Sequence, residues 1–336
     1  MCSDFSSKVI SLSLAESKRQ DGRYFTARSP FSHPEFRAWA GRAGLPEELL
    51  IEPFAGSGAI IDMLKAEGLA DRVMAYDLSP QASWIVQKDC FADFPPCKGV
   101  IITNPPYMAR NSARRRGLHF PDTKYADAYQ HALDLMLEQA GFVAAIVPAA
   151  FGTLDIFRDR LTHVIDLPFP DMFEDTTHPV CLSLFEPLSS RVVFWHWDRR
   201  IGDETLLRRA LPDPPARCEV IFNVPEGRIG LRATDSTSTA SIMFVPGLLI
   251  PKDRVKPSSR SITRLDIFDL QDAEIGAVIE SANSHLDRIR RMTEDAILTP
   301  FKGVRRDGRF RRRLDYKTAR IVLSLAVETV RARGGT

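Results

Sequence analysis

At 336 residues, 44% apolar and 26% charged, with a net charge of only +2, the chain has the composition of a folded protein with ample material for a core, which argues against a disordered chain. No apolar run approaches the roughly 20 residues a bilayer span needs. The Ser-rich stretch Met1 to Leu14 lacks the basic, strongly apolar pattern of a signal peptide, so a cytoplasmic chain with no membrane partner is expected. Its 5 cysteines and 7 histidines are scattered without metal-ligand or redox spacing, so neither a bound metal nor a disulfide framework is expected.

From residue 49 the pattern becomes strand, turn, helix, repeated. Leu49 to Phe54 is a short apolar run, Ala55-Gly56-Ser57-Gly58 a turn, and Ala59 to Glu67 has helical spacing. Arg72 to Tyr76 predicts a second strand ending at Asp77, followed by a polar turn and a helix from about Pro80. Gly99 to Thr103 reads as a buried strand, Tyr125 to Gln139 as an amphipathic helix, and Gly141 to Val147 as another buried strand. Such alternation makes an α/β fold with a parallel sheet covered on both faces. Val180 to Phe185 and Arg191 to His196 predict neighbouring strands joined by a short turn, an antiparallel edge to that sheet. After Trp197 the alternation fades and prolines break the chain, which places a boundary near residue 198 and divides the chain into 1–198 and a smaller 199–336 domain. Within the latter, Ile267 to Thr293 and Tyr316 to Arg333 have helical character.

Three strand ends carry chemistry. In Glu52-Pro53-Phe54-Ala55-Gly56-Ser57-Gly58, two glycines one residue apart sit between strand and helix, where the backbone turns sharply and a ligand approaches without a Cβ in its way. No Gly-Lys-Ser/Thr ending follows, which excludes a P-loop, and Gly-x-Gly-x-x-Gly is absent. Asp77, with Leu78 after it, lies 21 residues past Gly56, where a carboxylate reaches ribose hydroxyls. The same position equally suits a turn-capping Asp. Asp89-Cys90-Phe91 comes next, with Asp89 as an acceptor for an adenine amino group and Phe91 as a cover for the ring, or a surface Asp beside a core Phe.

Asn104-Pro105-Pro106-Tyr107 directly follows a buried strand and so belongs at the carboxyl edge of the sheet. Two prolines fix two φ angles and remove two N–H donors, leaving rigid carbonyl acceptors. The Asn104 side-chain oxygen and the Pro105 carbonyl together suit both hydrogens of one amino group. An aromatic exocyclic amine is a poor nucleophile, because its lone pair is delocalised into the ring. Two acceptors on its hydrogens localise that pair, so catalysis becomes positioning plus electrostatics. Tyr107 is placed to stack on the flat acceptor.

Together these residues resemble the N6-adenine DNA methyltransferases, in the group that places cofactor motifs first, the catalytic motif next and target recognition last. The resemblance covers roughly residues 22 to 190. Glu52 to Gly58, Asp77, Asp89 to Phe91 and Asn104 to Tyr107 match the family's first four motifs in order. Gly22-Arg23-Tyr24-Phe25-Thr26 resembles its N-terminal cofactor motif, with Ala27 where Pro is usual. Phe173 to Phe185 resembles the hairpin beside the target-base pocket, with Phe173 its second ring or a core residue. The resemblance implies a Rossmann-like fold on a mixed, mostly parallel seven-stranded sheet, with S-adenosylmethionine as cofactor. It implies Tyr24, Thr26, Glu52, Pro53, Phe54, Ala55, Gly56, Gly58, Asp77, Leu78, Asp89, Cys90, Phe91 and Asn104 as cofactor contacts and Asn104 to Tyr107 as the catalytic set.

Residues 251 to 336 hold 19 Lys or Arg against 12 Asp or Glu, which points to a polyanion. Arg110, Arg114, Arg115 and Arg116 follow the catalytic motif and are expected on a loop at its mouth. Lys302, Arg305, Arg306, Arg309, Arg311, Arg312, Arg313, Lys317 and Arg320 form a second cluster, interleaved with Phe301, Phe310 and Tyr316. Double-stranded DNA, with the target adenine flipped out, is the expected partner. No nuclease-like motif is present, so any restriction endonuclease is a separate protein. Ribosomal RNA adenine and protein glutamine methyltransferases share Asn-Pro-Pro-Tyr and stand as the alternative reading.

Overall fold

The computed structural model describes residues 28–169, 172–173 and 178–334. These divide into two compact units, one running to Phe151 with Asp155–Arg199, the other comprising Gly152–Leu154 and the chain from Arg200 on.

The first unit opens with α1 (Pro34–Arg42). Pro34 suits the first helical position, where no amide hydrogen is needed, and His33 Nδ1 accepts from the Glu35 amide at 3.1 Å. The helix buries Phe36, Trp39 and Ala40, and the Trp39 indole donates to the Phe185 carbonyl at 3.0 Å. Then follow β1 (Leu50–Glu52), α2 (Ala59–Ala66), β2 (Val73–Asp77), β3 (Val86–Gln87), β4 (Val100–Thr103), α3 (Arg110–Arg116), α4 (Ala128–Gln139), β5 (Phe142–Pro148), β6 (Leu161–Leu167), β7 (Val180–Phe185) and β8 (Val193–His196). With β9 (Arg199–Asp203), at the passage to the second unit, the strands form a sheet of order β3-β2-β1-β4-β5-β7-β6-β8-β9. The first five in that order pair in parallel, and β7 runs antiparallel to both β5 and β6.

This is the 3-2-1-4-5-6 order of a doubly wound sheet, with one antiparallel strand inserted between β5 and β6. The sheet is α/β, mixed and mostly parallel. It has nine strands where the resemblance implies seven, because β8 and β9 extend it beyond β6. The expected pairing of Val180–Phe185 with the strand near His196 is also corrected. β6 lies between them and pairs with β8 in parallel. Thr162, His163 and Asp166 interrupt its apolar run, which is why β6 was not legible in the sequence.

No helix starts at Pro80. Between Ser79 and Lys88 only Ile85 is buried, too little for a helical apolar face, and the chain turns into the short β3 instead.

In the second unit α5 (Glu204–Ala210) precedes β10 (Val220–Phe222), β11 (Ile229–Arg232), β12 (Met243–Pro246) and β13 (Ile262–Ile267). These strands form an antiparallel sheet of order β10-β13-β11-β12. After it come α6 (Ile275–Thr293), the hairpin β14 (Thr299–Val304) with β15 (Phe310–Arg313), and α7 (Tyr316–Gly334). The helix expected from Ile267 begins at Ile275, since 262–267 is held in the sheet ladder. Val278, Ile279, Ala282, Leu286 and Ile289 of α6 supply one buried stripe. They pack in one core with Leu231, Phe244 and Leu265 of the sheet and Val322, Leu323 and Ala326 of α7.

At the centre of this unit Asp235 is fully buried. It accepts from Arg290 at 3.0 Å and from Arg305 at 2.9 Å, as well as from the backbone amides of Ser241 and Arg312. Burial pushes its pKa up, but the hydrogen bonds and charge of Arg290 with those of Ser241 and Arg305 outweigh it, and the net direction is downward. Asp235→Ala is expected to cost about 3 kcal/mol in urea unfolding, because Arg290 and Arg305 each lose one of their buried carboxylates and keep only Asp295 and, for Arg305, Asp307. The stabilisation is fully present above the ordinary Asp value of about 4 and lost as the pH falls through the depressed folded value, so the wild-type and variant unfolding curves should converge in acid.

Candidate active site

The order of strands reverses at β1, which pairs in parallel with β2 on one side and β4 on the other. A crevice therefore opens at the carboxyl ends of these strands. A cavity of about 720 Å³ occupies it, lined by Glu52, Phe54 to Ser57, Asp77, Leu78, Asp89 to Phe91, Asn104 and Pro106 among others. That volume is in the range of small-molecule and cofactor sites.

The Gly-rich turn is built from backbone bonds. The Ala55 amide donates to the Tyr76 carbonyl at 2.8 Å and the Gly58 amide to the Ala55 carbonyl at 2.7 Å. Both glycines have positive φ, 56° at Gly56 and 86° at Gly58. A Cβ on Gly58 would lie 2.4 Å from the outer edge of the exposed Trp84 ring, which has room to shift, so it is the positive φ that favours glycine here. Asp77 accepts from the Gly56 amide at 2.8 Å through Oδ2 and from the Ser79 amide at 2.7 Å through Oδ1. It thus ties the end of β2 to the turn after β1 and lines the cavity at the same time. Asp89 Oδ1 accepts from the amides of Phe91 and Ala92 and holds that loop.

Glu52 is the strongest electrostatic feature. It is 1% exposed, and its Oε2 has no hydrogen-bond partner among the described residues. Burial, then the charges of Asp77 and Asp62, raise its pKa well above the ordinary Glu value. A buried carboxylate lining a cavity with an oxygen to spare suits a cationic group of a ligand, such as an ammonium. Beside it the rings of Phe54 and Phe91 lie 5.2 Å apart, and His131 stacks on Phe91 at 5.6 Å and 8°. Half-buried rings at the edge of a cavity offer a surface for a flat heterocycle. Cys90 is buried, with its pKa pushed up to about 12 mainly by burial, so it lines the cavity as a neutral thiol.

Asn104 and Pro106 reach the lining; Pro105 is buried and Tyr107 half-buried, and neither is part of it. The Tyr107 hydroxyl donates to the Ile146 carbonyl at 2.7 Å, and its ring meets Tyr129 and Phe173 edge-on at 6.3 Å each. Phe173 is itself buried. Gly58 and Pro53 are also buried, and neither lines the cavity. Tyr24 and Thr26 lie outside the described residues.

Several lining residues were not anticipated: Gln81, Lys88, His119, Asp122 and His131. The helical spacing of Ala128 and His131, three apart on one face of α4, is the signal that finds the last of these. Asp127 and Gln130 form a capping box that fixes where α4 begins. At its other end the Arg160 guanidinium donates to the carbonyls of Leu137, Ala140 and Gly141.

The basic residues divide. Arg114, Arg115 and Arg116 are exposed, on the last turn of α3 rather than on a loop, because the segment closes its own helical hydrogen bonds to Gly117. Arg110 is committed internally to the carbonyls of Thr123 and Tyr125, with its guanidinium 4.9 Å over Phe120. Arg305 and Arg312 are each 5% exposed, which removes both from the expected nucleic-acid contacts. Arg305 pairs with Asp235, Asp295 and Asp307. Phe310, interleaved with this cluster in the sequence, is buried in the core. Lys302 and Arg306 are exposed and Arg309, Arg311 and Arg313 half-exposed. Among the described residues no group of three or more His, Cys, Asp or Glu is placed to hold a metal ion, and no helix is long and apolar enough to cross a membrane.

No protein-family model matches the chain, and no curated protein does. Solved structures do. The modification subunit of a candidate type I restriction enzyme from Vibrio vulnificus matches at 13% identity over 56% of this chain and 50% of that one, with a TM-score of 0.36. The M protein of the type I restriction enzyme EcoKI matches at 13% over 91% of this chain and 71% of that one, TM-score 0.34. A candidate RNA methyltransferase from Pyrococcus horikoshii matches at 16% over 51% and 90%, TM-score 0.33. The chain thus spans half the length of the Vibrio subunit. Likeness this low assigns no activity.

Glu52 gives this site a pH signature. The folded state keeps a proton that the unfolded chain releases near pH 4.3, so stability falls as the pH rises from there through the raised folded value. Glu52→Gln removes that loss. Its denaturant midpoint at neutral pH is expected to equal or exceed the wild type's, with a flatter slope against pH; a lower midpoint would contradict the buried, unpartnered carboxylate.

Proposed function

We propose that the chain is an S-adenosylmethionine-dependent methyltransferase acting on the N6 amino group of adenine in double-stranded DNA. One observation carries the reading: Glu52, Asp77 and Asn104, at or just past the ends of three adjacent parallel strands, line a single cavity. The buried, unpartnered oxygen of Glu52 is what an ammonium-bearing cofactor needs at that place. When bound, S-adenosylmethionine supplies an electrophilic methyl group on a sulfonium.

The chain's own residues would do the rest. Glu52, protonated while it has no cation beside it, would give up that proton to hold the cofactor's ammonium group. Asp77, already fixed by two backbone amides, has lone pairs left for ribose hydroxyls. Phe54, Phe91 and Leu78 would cover the adenine moiety, with Asp89 and Cys90 at its edge. Asn104 and the Pro105 carbonyl would accept the two hydrogens of the target amine and localise its lone pair. Tyr107, anchored by its hydroxyl on β5, would face the flipped base with its ring. No general base is needed before attack, since the amine loses its proton only after it becomes cationic. The exposed arginines of α3 and the outward cations of the β14–β15 hairpin are the proposed phosphate contacts.

Asn104→Ala is expected to abolish methyl transfer while cofactor affinity stays within a few fold, read by calorimetry beside a labelled-methyl assay. Retained transfer would refute the acceptor geometry. For the substrate, labelled cofactor offered to duplex DNA, total RNA and protein side by side should mark DNA adenine, and label in RNA or protein alone would overturn the DNA reading.

A further inference from the structure

The arginine run of the second unit is sorted by strand alternation. Along β15 and the residue after it, Phe310, Arg312 and Leu314 are buried while Arg311 and Arg313 are half-exposed. Arg311 and Arg313 thus share the outer face, 5.0 and 6.0 Å from the Phe301 ring of the paired strand. Arg311 is tied down, its Nε donating to the Asp235 carbonyl at 2.7 Å. Arg313 instead lines a second cavity, of about 260 Å³, with Arg260, Leu314, Asp315 and Tyr316.

The other polar groups of that cavity are committed. Both Asp315 oxygens accept from Thr318, one from its amide and one from its hydroxyl, each at 2.9 Å. The Tyr316 hydroxyl is held between Asn223 Oδ1 and the Ser259 carbonyl, and its ring stacks on Phe222 at 4.0 Å and 8°. Both guanidinium charges reach Tyr316, where they oppose the rise in pKa that burial causes. Among the described residues neither Arg260 nor Arg313 forms an ion pair. Two guanidiniums on one small cavity, with its single carboxylate already engaged, are matched by an oxyanion that takes several parallel N–H bonds.

We propose that Arg260 and Arg313 form a phosphate-binding site over Tyr316 that takes a phosphodiester of a nucleic-acid backbone. The cavity is small for a whole nucleotide and adequate for its phosphate. The hairpin also presents Lys302, Arg306 and Arg309, a track suited to a polymer of phosphates rather than to one free anion. The choice of nucleic acid as bearer rests on the functional reading above; the oxyanion chemistry does not.

The test is the salt dependence of binding, without cofactor, of a labelled duplex DNA and of an RNA of equal length. For Arg260→Ala/Arg313→Ala, the slope of log affinity against log salt should become shallower by about 1, the loss of one neutralised phosphate, and Arg260→Lys/Arg313→Lys should recover most of it. Circular dichroism confirms that the variants fold, and the single Arg→Gln variants serve if the double alanine does not. An unchanged slope on both nucleic acids overturns the site, as does a wild-type protein that binds neither. Inorganic phosphate that binds the wild type and not the variant, with no change of slope, marks a free-anion site and overturns the proposal too. Absence of methyl transfer leaves the slope untouched, so failure of the enzymatic reading and failure of this site are separately visible.

Discussion

The reversal of strand order at β1 is the constraint on which the site depends. With β2 parallel on one side and β4 parallel on the other, the connections leave in opposite directions, and the carboxyl ends between them stay uncovered. A strand of three residues is then enough to deliver Glu52 into that gap. Asp77 makes the arrangement rigid, because the same carboxylate that borders the cavity holds the Gly56 amide and the Ser79 amide. The turn after β1 and the end of β2 therefore move together, and a ligand would meet a surface already organised by protein–protein hydrogen bonds.

A second principle runs through the distribution of charge. Identical side chains do opposite work according to which way the backbone points them. Arg305 is drawn in toward Asp235 and Asp295, where excluding water makes the pairing strong and the loss of either partner costly. Arg313, one alternation away from buried Arg312, stays half-exposed. Glu52 is the mirror case, a carboxylate without a cation, held in the fold by surrounding packing and favoured in its protonated form. In the second unit buried Asp235 is met by Arg290 and Arg305, whereas in the first Glu52 Oε2 borders a cavity with no hydrogen-bond partner among the described residues.

Much of the first unit is legible in the sequence. The buried runs at Leu50–Glu52, Val100–Thr103 and Phe142–Pro148 are continuous apolar stretches, as strands covered on both faces must be. Their polar ends stand out against that background, so Glu52, Asp77 and Asn104 could be named. β6 could not, since Thr162, His163 and Asp166 face partly outward and break the run. The helix expected from about Pro80 does not form, because Ile85 alone is buried there and Trp84 stays about half exposed, with its ring near Gly58.

The α/β alternation, the turn glycines and the residues at strand ends follow from the order of amino acids alone, because each is a local property of backbone geometry and hydrophobic period. Only the tertiary structure decided which strands are neighbours, that β7 is inserted between β5 and β6, that His131 comes to lie on Phe91, and which arginines are buried. Those outcomes depend on contacts between residues far apart in the chain. A run of arginines reads the same whether it faces water or a buried carboxylate, and only the position of Asp235, some seventy residues earlier, separates the two.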